Sequence, residues 1–246
     1  MLDRSNREVS VPFVACFNAA IRHLRNMADG VLHPGLRAEL TPPFLEHLSF
    51  RLGNQLFFVR LEDVQERVPS PGTLEGLLTV AEGCQGHACV MPMRRHADGW
   101  RPELPGWGLQ DALSGRLIDP PGKITAEPIE VTEWELHDSA VQVVCRAIEA
   151  KGLAIMSWQS NPNVDPAIWF VGPDGPEWVI VRAARYPAAG AQLPAHWQAV
   201  AETCAGLGKG GSFASVGFAD TDTMDAGDQI YRGQRTHVKF KGLVRL

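Results

Sequence analysis

Four residues of zinc-ligand type fall close together: Cys84, His87, Cys89 and His96. Thiolates and imidazoles at such spacing can hold Zn²⁺. Cys-x2-His-x-Cys-x6-His is not a usual zinc spacing, however, and three ligands in so short a loop would be strained. The ordinary alternative is a Gly-rich turn leading into a strand that buries Cys89. Arg60 and Arg182 end similar segments, Phe58-Val59-Arg60 and Ile180-Val181-Arg182. Together they could bind a pair of acidic groups, or each could lie on a solvated strand face beside a neighbouring acid. Trp100 and Trp107, in a Pro/Gly-rich stretch, are candidates for docking a partner.

Other motifs are weaker. The acids Asp220, Asp222, Asp225 and Asp228 miss the EF-hand spacing and suit a solvated loop. Gly206 to Ser212 looks like a phosphate loop but follows a helix and precedes a strand, the reverse of what a P-loop needs. Asp138 sits by an apolar helix face and is a candidate partner for Arg182. In Thr236 to Gly242, Val238 and Phe240 are expected to face the core, with His237, Lys239 and Lys241 outward. That strip could contact anions, or it could be an edge strand kept from aggregating by its lysines.

The elements that must carry these residues follow from periodicity. In the C-terminal half a helix over Val131 to Ala150 precedes strands at Leu153 to Trp158, Ala167 to Val171 and Glu177 to Ala184. A helix then runs from about Pro194 to Ala205, followed by a strand at Phe213 to Phe218. The order is α-β-β-β-α-β. The N-terminal half repeats it: a helix over Pro12 to Met27, a weak strand within Val31 to Leu40, a hairpin over Glu46 to Glu62, a helix over Thr73 to Ala81 and a strand over Ala88 to Met93. The fold class expected is α/β (α+β), with mixed sheets, packed helices and tandem units. The domains are then 1–93, a connector at 94–130 rich in Pro, Gly and Trp, and 131–246.

Over residues 131–220 this order resembles the restriction-endonuclease-like, or PD-(D/E)XK, superfamily. The resemblance places Asp165 as the first acid, at the second strand, and Glu133 or Glu135 as the helix acid. The third strand departs from the motif: Ile180 stands where the second acid belongs and Arg182 where the lysine belongs. Isoleucine ligates no metal, and arginine keeps its proton at any ordinary pH. The resemblance therefore implies either a degenerate relative or a metal-dependent phosphodiesterase using Asp165, Glu135 and Arg182.

Composition narrows the classes. A net charge of -5 argues against a large nucleic-acid surface, and no apolar run approaches a bilayer span. The N-terminus lacks the pattern of a secretory signal, and five cysteines do not suggest a disulfide framework, so a cytoplasmic protein is expected. The leading expectation is a non-catalytic binding or regulatory protein, with a protein partner in preference to nucleic acid, no membrane and no cofactor. The alternative is the phosphodiesterase with Mg²⁺ or Mn²⁺; Zn²⁺ would belong to the Cys/His group.

Overall fold

Ser10 accepts a hydrogen bond from the Phe13 amide at 3.3 Å and so starts α1 (Val11–Met27), whose Phe13, Phe17, Ala20 and Leu24 are buried along one face. The computed structural model describes residues 10–28, 48–220 and 229–246. Within them the chain forms two compact units, divided between Glu127 and Pro128. The architecture is α+β, with one mixed sheet in each unit.

In the first unit, β1 (Leu48–Leu52) and β2 (Gln55–Asp63) make a hairpin, and α2 (Leu74–Gly83) crosses to β3 (His87–His96), which lies parallel to β2. Two short strands, β4 (Gly99–Pro102) and β5 (Gln110–Asp111), then pair side by side along the outer edge of β3. α1 packs over Phe57, Val59, Cys89, Met91 and Met93 to make the first core.

In the second unit, α3 (Glu133–Glu149) opens with a capping box in which Thr132 and Glu135 each accept the other's backbone amide. The strands β6 (Ile155–Trp158), β7 (Ile168–Gly172) and β8 (Gly175–Arg185) form an antiparallel meander, and α4 (Trp197–Cys204) crosses to the parallel strand β9 (Gly210–Asp220). β10 (Thr236–Phe240) and β11 (Val244–Arg245) follow along the edge of β9. α3 covers one sheet face through Leu136, Val141, Val144 and Ile148. α4 covers part of the other through Val200 and Cys204, against Trp178, Ile180 and Phe213. The Trp178 ring lies so close over Gly211 that a Cβ there would sit 2.2 Å from it, so β9 must carry glycine at this point.

Over the described residues, β1 to β5 of the first unit repeat the topology of β7 to β11 in matching register. Equal hairpin loops, 53–54 and 173–174, align Leu48 with Ile168 and Val59 with Val179. The parallel pairs align Cys89 with Ser212 and Met93 with Val216. Beyond these, β4 matches β10 and β5 matches β11. The match therefore extends past the strand that follows the second helix, and residues 99–111 belong to the first unit rather than to a connector at 94–130. The first-half strand expected within 31–40 lies outside the described residues, as do residues 221–228 of the acidic loop.

The register also corrects one pairing. Arg60 aligns with Ile180, and Arg182 aligns with Glu62. Spacing measured from helix midpoints is too coarse to fix strand register, and here it misses by two positions.

Candidate functional site

β7 and β8 run antiparallel, so the approach to β7 lies beside the end of β8. Asp165 therefore meets Arg182: Nη1 donates to Oδ1 at 2.9 Å and Nη2 to Oδ2 at 2.5 Å. His196, just before α4, reaches the same Oδ2 through Nε2 at 2.9 Å. The Asp165 side chain is only 4% exposed. Burial pushes its carboxyl up, but the hydrogen bonds and charges of Arg182 and His196 outweigh this and hold it below the usual carboxylate range. The partner of Arg182 is thus Asp165 and not Asp138, which is buried in α3.

Glu135 does not join this group. Arg232 holds it in a two-pronged ion pair at 2.9 and 3.0 Å, and its carboxylate also closes the α3 capping box. Glu177, another carboxylate on β8, is paired with Arg245 and staples β11 to the sheet. Asp165 and Glu135, the two acids singled out by the nuclease resemblance, are therefore each paired with a different arginine.

His137, on the buried face of α3, lies within electrostatic reach of the pair. Burial and then the Arg182 charge push its imidazole down to about 4, with Asp165 offsetting part of the shift. The unfolded chain binds this proton near pH 6.5, whereas the folded chain resists it until about 4. The stability from a neutral His137 is accordingly complete above about pH 6.5 and lost as pH falls toward 4, a change of roughly 3 kcal/mol. Urea titrations between pH 7 and 4.5 are expected to give a much flatter stability profile for His137→Gln than for the wild type. Equal slopes would show that His137 is not the titrating group.

The remaining candidates serve the fold. Arg60 bonds Glu62 at 3.0 Å and the carbonyls of Gly72 at 2.8 Å and Pro71 at 3.3 Å, clamping the loop before α2. Trp100 and Trp107 are not displayed for a partner: they are 9% and 6% exposed, and Trp107 stacks on Phe50. Cys84 and Cys89 are buried, and burial pushes the Cys89 thiol up to about 12, far from a ligating thiolate. His87 stacks on Phe57 and pairs with Gln55 at 3.0 Å, while His96 lies exposed at the far end of β3. These four do not form a zinc site, and among the described residues no three His, Cys, Asp or Glu side chains are grouped to hold a metal.

A second feature lies on the α4 side of the second sheet, where that helix stops short of the edge. A groove of about 540 Å³ is floored by Ser215, Gly217 and Ala219 of β9, walled by the 186–191 loop, and rimmed by His237, Lys239 and Lys241. Its lining is mainly apolar apart from that rim. None of the three basic residues forms an ion pair among the described residues. The alternation expected for Thr236 to Gly242 holds for Phe240, which packs on the second core, whereas Val238 is 42% exposed. The basic strip was legible in the sequence; the groove was not, because its floor comes from small residues on a different strand.

A family model described as a domain of unknown function (DUF8840) matches residues 134–246, from α3 through β11. No curated protein and no solved structure matches the chain. Among the described residues no helix is long and apolar enough to cross a membrane.

Proposed function

We propose that the chain is a non-catalytic, cytoplasmic binding protein whose second unit is a degenerate nuclease-like core that engages a protein partner. One observation carries this reading: Asp165 is bound by Arg182 and His196, while Glu135 is bound by Arg232. A metal-dependent phosphodiesterase needs carboxylates that converge and can give their charge to a cation. Here both are spent on internal ion pairs, and Ile180 on β8 adds no third oxygen ligand. Five free, buried cysteines suit a reducing compartment. The net charge of -5 favours a protein over a nucleic acid as partner.

The test is phosphodiester hydrolysis. Purified protein is incubated with single- and double-stranded DNA, RNA and bis(p-nitrophenyl) phosphate, each with Mg²⁺ or Mn²⁺. The expected result is no turnover above buffer and no thermal shift with either metal. Hydrolysis that Asp165→Ala abolishes would replace this reading with the enzymatic one.

A further inference from the structure

The repeated register lets one unit serve as the reference for the other at the outer edge of each sheet. In the first unit Arg94 of β3 and Glu103 just after β4 form a two-pronged ion pair at 2.6 and 2.9 Å. The positions that match them in the second unit are Gly217 and Lys241. Arg101, which pairs with Asp98, is matched by Lys239. The first unit therefore fills and neutralises this surface with its own side chains. The second unit has a glycine in place of the arginine and a lysine in place of the glutamate, which leaves a basic groove.

The other face of the edge strand differs in the same direction. Trp100 of β4 is buried under α1, whereas the matching Val238 of β10 is 42% exposed. Among the described residues β10 pairs only with β9, so its outer row of backbone N–H and C=O groups has no strand partner. An open edge, a basic groove on one face and a bare valine on the other can all be satisfied by a single occupant.

We infer that the β10 edge takes an extended acidic peptide strand of a protein partner, its acidic side chains entering the groove over Gly217 and its alternate, apolar side chains covering Val238. This rests on the binding-protein reading above and names the class of partner. An added strand places alternate side chains on opposite faces, with Cβ atoms about 5 Å from those of β10. Every second residue would then meet His237 or Lys239, and the residues between would meet Val238 and Phe240. Backbone pairing supplies the affinity and the alternation supplies the specificity. A second copy of this chain is the wrong occupant: two β10 edges paired about a twofold would bring His237, Lys239 and Lys241 against their own copies.

The test uses full-length protein and a fluorescein-labelled peptide of alternating glutamate and valine, followed by anisotropy at low and high salt, with a lysine-valine peptide as control. The glutamate peptide is expected to bind more weakly as salt rises, and the lysine peptide not to bind. Lys239→Glu with Lys241→Glu should weaken binding by about tenfold. Gly217→Arg with Lys241→Glu restores the side-chain pair of the first unit and should abolish binding. A Cβ at Gly217 meets nothing closer than 3.7 Å, so this variant is expected to keep the wild-type circular dichroism. The inference is overturned by any of four results: no binding by the wild type, equal binding by a folded variant, equal binding of the lysine peptide, or a wild-type dimer that the charge reversal dissolves. Self-association of the charge-reversed protein with unchanged peptide affinity would also overturn it, assigning the lysines to edge protection. The two readings fail separately: metal-dependent hydrolysis removes the non-catalytic one, and an unbound glutamate peptide removes this one.

Discussion

Arg182→Met is expected to destabilise the second unit by about 3–5 kcal/mol at neutral pH, because it strands the Asp165 carboxylate, 4% exposed, without its main counter-charge. The alternative is small: an exposed ion pair contributes about 0–1 kcal/mol. Geometry decides between the two. Two Arg182 nitrogens engage the two Asp165 oxygens, and among the described residues the other side chain bonded to Asp165 is His196, which carries a charge only when protonated. In a melt the loss corresponds to a fall on the order of 10 °C. Asp165 binds its proton less readily when folded than when unfolded, so the pair contributes fully above about pH 4 and less in stronger acid. The deficit of the variant should narrow over that acid range. Asp165→Leu combined with Arg182→Met should recover much of the loss, because it removes both buried charges. A loss below about 1 kcal/mol at pH 7 would place the pair with ordinary surface contacts.

Trp107→Ala should cost about 3–5 kcal/mol in the first unit, the range for emptying a core site of that size. Trp107 is 6% exposed, and its ring lies nearly parallel to Phe50 with centroids 6.2 Å apart; Phe50 in turn stacks on Phe57 at 4.9 Å. Were Trp107 a docking residue on a free connector, its loss would leave stability nearly unchanged and weaken only partner binding. Urea denaturation of the variant separates these outcomes, and a change within about 0.5 kcal/mol would return residues 94–130 to the status of a connector.

The order of the main elements was legible because each helix keeps an apolar face at helical spacing and each central strand is a short apolar run. The edge strands were not. β4 is four residues containing Gly99 and Pro102, and β5 is two residues long, so neither offers a period to count. Pro and Gly around Trp100 and Trp107 read as a linker, yet the same residues turn the chain back along β3 and place both indoles in the core. The resemblance to the nuclease core put Asp165 near Arg182, but the ion-pair partner expected for Arg182 was Asp138, because the sequence does not show which acid the end of β8 will meet. His196 was not legible, since nothing near α4 announces which strand its first turn will face. The groove was the hardest feature to foresee. Gly217 is one glycine among 24, and its meaning appears only beside Arg94 in the aligned unit.

The division between Glu127 and Pro128 also bears on the order in which the protein is made. Among the described residues, every side chain of the first core lies between Phe13 and Ile118, so that core can close while the second half is still being synthesised. The second unit has no such freedom. β9 sits at the centre of its pairing and must wait for β10 and β11, and the Leu246 amide donates to the Gly211 carbonyl at 3.0 Å. A nascent chain stalled between about residue 186 and residue 210 would present one finished unit and one unfinished sheet, with the long, apolar β8 as its unpaired edge. Vectorial synthesis thus lets the first half complete its core well before the second, whose sheet closes only with its last strands.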